Sequence, residues 1–287
     1  MTITAMTPYY GSNRANAELI GKEIGEVAWC GVPFLGSGTE LRYIRCRAGV
    51  ASDLNSHVVN LARVIRDPEK RAAMNKVILG TPFHSRELKE AQSLAAACAL
   101  TVSVARSNGQ AVEPNVTWAA AYFVSAWMTR SPSAGTGAEL TGPIAARWTS
   151  SGGDSAVRYR SAVEAAKAWG EVLARWTFLE LPALDFLARC KDDPDHAVYA
   201  DPPWPDGPGD QYEFSMTEDD HWKLAEALIQ RTRGKTIVRI GDTETARRLY
   251  PHRFWVWVLA QTRSQTRGTV REAILIRRPP HRRSAAG

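Results

Sequence analysis

The chain has 287 residues, of which 44% are hydrophobic and 23% are charged. This composition excludes a disordered protein, and the length suits one catalytic domain that carries an insertion. Lys and Arg number 36 against 30 Asp and Glu, and the resulting net charge of +6 suits a polyanionic partner without requiring one.

The cysteines and the apolar stretches bear on the compartment. The 4 cysteines are widely spaced, with no Cys-x-x-Cys pair and no nearby pair of histidines that would make a zinc site. No apolar stretch reaches the length of a membrane span, and the amino terminus shows no signal peptide. We therefore expect a soluble protein in a reducing cytoplasm.

The amino-terminal elements alternate between helix and strand. Residues 14–24 predict a helix and residues 26–32 a strand, and a turn that contains Gly36 and Gly38 follows. Glycines let the backbone approach a ligand closely, and the amides that open a following helix favour a carboxylate or another polar group. A tight turn without a ligand is the alternative interpretation.

A second strand, residues 48–52, ends at Asp53 and precedes a helix that Asn55 or Ser56 caps. An acid at the end of the second strand is where nucleotide-binding α/β domains hold ribose hydroxyls. A helix cap is the competing role for Asp53. The order strand, Gly-x-Gly, helix, strand and acid favours the cofactor interpretation.

The alternation stops between residues 67 and 176, where Ala- and Leu-rich segments over 86–105 and 114–128 predict helices. We interpret residues 67–176 as an inserted, mostly helical lobe. The catalytic domain then comprises residues 1–66 and 177–287.

Two basic stretches have a composition that can contact phosphates and base edges, which arginines reach. The candidates in the lobe flank a glycine turn with hydroxyl groups, and they are Arg147, Trp148, Arg158 and Arg160. Residues 263–283 contain seven arginines and a single acid, and Arg263 and Arg267 are the candidates there. A surface turn over a packed tryptophan and a solvated tail are the respective alternatives.

The α/β pattern resumes after the lobe. It predicts a strand over 177–181 leading to Asp185 and Phe186, a strand ending at Asp201, a helix from Thr217 and a strand over 236–240. Residues 254–259 and 272–276 predict an antiparallel hairpin that closes the sheet.

The sequence Asp201-Pro202-Pro203-Trp204 is the most informative motif of the chain. Its prolines cannot continue a strand, so the carboxylate lies at the carboxyl end of a buried strand, where open α/β sheets bind their ligands. A carboxylate, a rigid turn and an exposed aromatic ring there indicate chemistry on a flat substrate. An ordinary strand-ending turn is the alternative.

These motifs resemble those of the Dam-like adenine-specific DNA methyltransferases, which use S-adenosylmethionine. Residues 33–38 are similar to the cofactor loop of that family, residues 52–55 to its ribose-binding acid, residues 184–186 to its adenine-contacting segment and residues 271–276 to its closing strand. The order of the parts is that of the family's alpha group. The resemblance implies an α/β fold, namely a Rossmann-like class I methyltransferase sheet with an inserted recognition lobe.

The resemblance also implies a set of cofactor-binding residues. They are Tyr10, Arg14, Phe34, Leu35, Gly36, Ser37, Gly38, Asp53, Leu54, Asp185, Phe186 and Asp201. The family usually has a Lys-Trp-x-Gly-Gly-Lys-like stretch near the amino terminus. Residues 9–14 depart from it and keep an aromatic residue, one glycine and one terminal base.

The motif at Asp201 suggests a mechanism. The amino group of adenine is a poor nucleophile, and acceptors for its hydrogens let the nitrogen become tetrahedral as the methyl group arrives. The Asp201 carboxylate and the Pro202 carbonyl are the expected acceptors, with the rigidity of Pro202 and Pro203 fixing their aim. Trp204 would stack on the flipped base. No metal and no second cofactor is implied.

The expected partner is double-stranded DNA, bound by a monomer. Two alternatives stay open, namely methylation of adenine in RNA or single-stranded DNA, and a non-catalytic DNA-binding descendant of the fold.

Overall fold

The computed structural model describes residues 5–9, 11–130, 140–146, 154–206, 214–260 and 271–277. The strands in these ranges are β1 Glu26–Val32, β2 Arg45–Ser52, β3 Trp176–Leu179, β4 His196–Ala200, β5 Lys235–Gly241, β6 Trp255–Ala260 and β7 Glu272–Arg277. The helices are α1 Ala17–Ile24, α2 Ser56–Arg66, α3 Pro68–Gly80, α4 Ser85–Ser107, α5 Val116–Met128, α6 Ser155–Leu173, α7 Ala183–Arg189, α8 Glu218–Ile229 and α9 Glu244–Leu249.

The strands form one seven-stranded sheet in the order β3-β2-β1-β4-β5-β7-β6. Strand β4 lies parallel between β1 and β5, whereas β7 pairs antiparallel with both β5 and β6. This is an open, mostly parallel Rossmann-like sheet that ends in an antiparallel hairpin. The predicted fold class and the predicted hairpin are confirmed.

Most predicted elements are present, with differences at their ends. Strand β1 has the predicted bounds, Asn55 caps α2, and Thr217 caps α8. Strand β2 begins at Arg45, earlier than expected, and the Gly-x-Gly turn leads into a single 3-10 turn, Thr39–Arg42, rather than an α-helix. The early start of β2 leaves room for only one turn after Gly38.

Two helices of the expected lobe were not predicted individually. Helix α3 begins with a proline, and the Asp67 side chain caps it by accepting from the amides of Glu69 and Lys70. Helix α6 begins after Asp154, which accepts from the amide of Ala156. Both starts follow from ordinary capping chemistry, but short capping signals are easily missed where the apolar period is irregular.

The first of two compact units consists of the described residues of Met1–Arg14, Leu35–Arg42 and Ala51–Glu180. Helix α5 is its centre, since every residue from Trp118 to Met128 is buried and α5 contacts α2, α3, α4 and α6. In a helix that is buried all round, polar side-chain atoms depend on internal partners. Trp118 Nε1 donates to His57 Nδ1 at 2.8 Å, whereas the buried Trp127 Nε1 has no hydrogen-bond partner among the described residues.

The second unit consists of the described residues of Ala15–Phe34, Tyr43–Val50 and Leu181–Gly287. Strands β4 and β5 are almost entirely buried, as expected for parallel strands in the middle of a sheet. Leu224, Ala225 and Leu228 of α8 recur at helical spacing and pack into the same core. Of the helices within the described ranges, none combines the length and the apolar character needed to cross a membrane.

Candidate active site

The Asp201 motif lies at the carboxyl end of β4, as the sequence predicts. The register pairs Ala200 with Val238 of β5, so Asp201 follows directly beside Arg239. Arg239 Nη1 donates to Asp201 Oδ2 at 2.9 Å. Pro202 is buried, and Pro203 is half-buried. The carboxylate is therefore held by a fixed cation at the edge where an α/β sheet binds its ligands.

Arg239 has a second carboxylate partner, Glu272 at the start of β7. Its Nη2 donates to Glu272 Oε1 at 2.6 Å and its Nε to Oε2 at 3.2 Å. Asn16, the residue before α1, donates from Nδ2 to Glu272 Oε2 at 2.8 Å. We call Asp201, Arg239, Glu272 and Asn16 the carboxylate cluster.

The electrostatics of the carboxylate cluster follow from its burial. Burial raises the pKa of Asp201 above its ordinary value, and the charge of Glu272 acts in the same direction, whereas Arg239 and the Tyr199 hydroxyl oppose the rise. Burial alone would lower the pKa of Arg239, but the two carboxylates outweigh it and hold that pKa well above its ordinary value. The guanidinium therefore stays charged.

Trp204 is half-buried and packs on the core of the second unit. The Cζ atom of Arg239 lies 5.4 Å from the centroid of its ring, which is cation–π distance. Arg239 thus contacts both the carboxylate and the aromatic residue of the motif.

The sequence offered one signal for Arg239. Residues 236–241 read Thr-Ile-Val-Arg-Ile-Gly, so an arginine interrupts a run that is otherwise typical of a buried strand. A buried charge requires a partner. The identity of that partner depends on which strands are neighbours, and neither Glu272 nor Asn16 was singled out as a candidate.

The two residues expected near the adenine of the cofactor lie on α7. Phe186 is 2% exposed and belongs to the core of the second unit, and a Cβ atom on Gly31 would lie 3.1 Å from its Cε1. Asp185 is exposed in the first turn of the helix. Phe34 is half-buried and packs against the same core.

In the first unit, the glycine loop has the conformation that its sequence suggests. Gly36 and Gly38 have φ values of 48° and 67°, which only glycine adopts without strain. The amide of Leu35 donates to the Ser52 carbonyl at 2.8 Å, and the amide of Gly36 donates to Asp53 Oδ2 at 2.7 Å. The loop is thereby fixed to the end of β2.

The Asp53 carboxylate fixes this loop by accepting its amide hydrogen bond, and it does not cap helix α2. Its Oδ1 accepts from the amide of Asn55 at 2.9 Å, and Asn55 itself caps α2. Burial raises the pKa of Asp53 to about 6, although the amides of Gly36 and Asn55 oppose the rise. Each carboxylate oxygen has two lone pairs, so the Asp53 carboxylate can still accept a further hydrogen bond. Leu54 is 43% exposed beside it.

Hydroxyl groups join the amino-terminal segment to the glycine loop, a connection that the sequence did not predict. Ser12 Oγ donates to Ser37 Oγ at 3.0 Å, and Ser37 Oγ lies 2.8 Å from Thr39 Oγ1. The amide of Met6 donates to the Ser37 carbonyl at 3.0 Å. The segment that stands in place of the family's Lys-Trp-x-Gly-Gly-Lys-like stretch therefore contacts the loop directly.

Several of the predicted site residues are arginines. Arg158 and Arg160 are exposed on α6, and Arg158 Cζ lies 5.3 Å from the Trp127 ring centroid. Partial burial of the Arg14 guanidinium and the charge of Arg158 lower the pKa of Arg14. The candidates that lie outside the described residues are Tyr10, Arg147, Trp148, Arg263 and Arg267.

Comparisons with known proteins add little to this geometry. No protein-family model matches the sequence, and no curated protein matches it. Among solved structures, the chain is similar to an rRNA methylase from Streptococcus thermophilus, with 7% identity over 92% of this chain and 94% of that chain and a TM-score of 0.35. The Rossmann-like α/β fold is assigned from the strand order alone.

Proposed function

We propose that the protein transfers a methyl group to the exocyclic amino group of adenine in DNA, with S-adenosylmethionine as the methyl donor. The observation that carries the proposal is the Asp201 carboxylate, which Arg239 holds at the carboxyl end of β4. Pro202, Pro203 and Trp204 follow it directly in the chain. A carboxylate acceptor, a neighbouring carbonyl and an aromatic surface are the groups that an adenine amine requires.

The chemistry assigned to these residues is that of a hydrogen-bond acceptor and a stacking surface. As the amine nitrogen bonded to the methyl carbon and the methyl–sulfur bond of the donor broke, leaving S-adenosylhomocysteine, Asp201 and the Pro202 carbonyl would accept hydrogen bonds from the two N–H groups and stabilise the growing positive charge. One amine proton would then leave, and the Asp201 carboxylate is the base that we assign to accept it. Trp204 supplies a surface on which an extruded base stacks.

The residues assigned to the cofactor fit a nucleoside with an amino-acid end. Gly36 and Gly38 have no side chains of their own to shield the loop backbone, and the Asp53 carboxylate retains acceptor capacity for ribose hydroxyls. When bound, S-adenosylmethionine supplies an electrophilic methyl group. The protein residues named here bind and orient it and require no metal.

We assign target recognition to residues 67–176. The exposed Arg158 and Arg160 of α6 support a polyanionic substrate, and the net charge of +6 has the matching sign. We further propose that double-stranded DNA is preferred over RNA and single-stranded DNA, and the experiment below distinguishes the three.

The test is methyl transfer itself. The protein is incubated with labelled S-adenosylmethionine and either duplex DNA free of methylated adenine, the same DNA after denaturation, or RNA, and the digested nucleosides are analysed by mass spectrometry. We expect N6-methyldeoxyadenosine from the duplex and none with Asp201→Asn. Methylated adenosine from RNA alone would identify RNA, in place of DNA, as the substrate. The absence of product from all three nucleic acids would contradict the proposed function.

A further inference from the structure

Arg239 is a buried cation between two carboxylates, and this arrangement needs an explanation. Its side chain is 6% exposed, that of Glu272 is 3% exposed and that of Asp201 is 20% exposed. One carboxylate is enough to neutralise one guanidinium. Burying a second carboxylate leaves an excess negative charge in the protein interior, which is unfavourable unless that charge has a use.

The contacts divide the guanidinium unequally. Glu272 receives two hydrogen bonds, from Nη2 and Nε, and Asp201 receives one, from Nη1. Asn16 Nδ2 donates to Glu272 Oε2 and so fixes the carboxylate that holds the guanidinium plane. Because Glu272 takes the larger share, Asp201 is oriented by Arg239 without being neutralised by it.

We propose that Arg239 is a positioning residue for Asp201, and that Glu272 balances its charge so that Asp201 remains a strong acceptor for the amino group of the target base. The inference rests on the proposed function. It assigns roles to two residues, on β5 and β7, that lie outside the Asp-Pro-Pro-Trp motif.

The proposal makes Asp201 sensitive to a change at Glu272. Among the described residues, the groups that act on Asp201 are Arg239 from β5, Glu272 from β7 and the Tyr199 hydroxyl from its own strand. Removing the charge of Glu272 leaves Asp201 as the one carboxylate that the described residues place on Arg239. Asp201 then binds its proton less tightly and accepts a weaker hydrogen bond.

The first experiment measures single-turnover methyl transfer between pH 5 and 9 at saturating cofactor and DNA. For Glu272→Gln, which keeps the size of the side chain, we expect a rate about tenfold lower at neutral pH and an acid limb displaced to lower pH. Arg239→Lys should retain part of the rate that Arg239→Met loses. Arg231→Lys is the control, because Arg231 is also buried but donates to the carbonyls of Cys190 and Lys191.

The second experiment does not depend on activity. The carboxyl carbons of aspartate are labelled with ¹³C and titrated by NMR, and Asp201→Asn identifies the resonance of Asp201. We expect the midpoint for Asp201 to be lower in Glu272→Gln than in the wild type and unchanged in Arg231→Lys. Failure of the wild type to methylate any adenine substrate would contradict the proposed function and leave this titration as the test. The inference would be overturned if the titration midpoint of Asp201 were the same in Glu272→Gln and in the wild type. In an active enzyme, an acid limb that is the same in both proteins would also overturn it.

Discussion

Asp201 combines partial burial with an ion pair, so its charge rather than its shape should matter for transfer. Asp201→Asn keeps the volume but replaces a charged acceptor with a neutral amide, which cannot stabilise positive charge on the amine nitrogen. We expect the single-turnover rate to fall at least about 100-fold, as when a preorganised electrostatic group is removed from other enzymes. Cofactor affinity, measured by calorimetry, should change little. Transfer at the wild-type rate would show that the motif is only a strand-ending turn.

Trp204 should act on the substrate rather than on the cofactor. Trp204→Ala removes a stacking surface worth about 1–3 kcal/mol to an extruded base, so binding of DNA in productive form should weaken by that amount. Trp204→Phe is the matched variant, since it keeps a flat ring over Arg239 and should lose less. A fluorescent adenine analogue in the duplex reports extrusion of the base. Equal extrusion by all three proteins would assign Trp204 to the core alone.

Asp53 links cofactor binding to pH in a direction that can be worked out. Because its pKa is raised to about 6 in the folded protein, Asp53 is protonated more readily there than in the unfolded chain. Its contribution to the free energy of unfolding is fully present below the unfolded pKa, near 3.8, and is lost as the pH rises through about 6. A ribose hydroxyl, however, needs the ionised carboxylate as its acceptor.

Affinity for S-adenosylmethionine should therefore fall by about tenfold between pH 7 and pH 5, because protonation of Asp53 competes with binding. Calorimetry at several pH values measures this. At pH 7, Asp53→Ala should bind more weakly by about 1.5–3 kcal/mol, and it should lose the pH dependence, so that its deficit relative to the wild type shrinks towards pH 5. An unchanged slope in Asp53→Ala would assign the titration to another group.

Two helical glycines form a matched pair for testing how close backbone packing affects the free energy of unfolding. A Cβ atom at Gly21 of α1 would lie 2.5 Å from the Tyr43 carbonyl oxygen, whereas one at Gly80 of α3 would meet nothing within 4 Å. Gly21→Ala should lower the free energy of unfolding by about 1–3 kcal/mol because backbone must move. Gly80→Ala should raise it by up to about 1 kcal/mol through helix propensity. Urea unfolding measures both, and equal effects would contradict the packing at Gly21.

The elements also show where sequence reasoning succeeds. Short-range signals, such as the Asn55 cap, the prolines after β4 and the apolar run of β5, fix elements that the structure confirms. The contacts of Asp53 and Arg239 depend instead on which distant segments become neighbours. Gly36 and Asp53 are joined by the sheet, and Arg239 meets Glu272 only after β7 has paired with β5. Single-sequence patterns contain no distances of that kind.

For the molecule as a whole, the arrangement of positive charge should determine how binding depends on salt. Arg158 and Arg160 are exposed on one helix, and each should release about one counterion when it contacts a phosphate. Arg158→Ala and Arg160→Ala should each reduce the salt slope of DNA affinity by about one, whereas the corresponding lysine variants should keep it. Fluorescence anisotropy at salt concentrations from about 50 to 200 mM measures this slope. Slopes equal to wild type would place DNA contacts elsewhere in the chain.

The strand order has a consequence for synthesis of the chain. Strand β1 is made early, but its parallel neighbour β4 is made only after helices α2–α6. Every segment of the first unit has been translated once Glu180 has emerged, whereas the second unit still needs β7 from the last part of the chain. Contacts between segments far apart in sequence form slowly. On the ribosome, the first unit can therefore fold while β1 still lacks its partner β4. During this interval the unpaired edge of β1 makes the nascent chain most prone to aggregation.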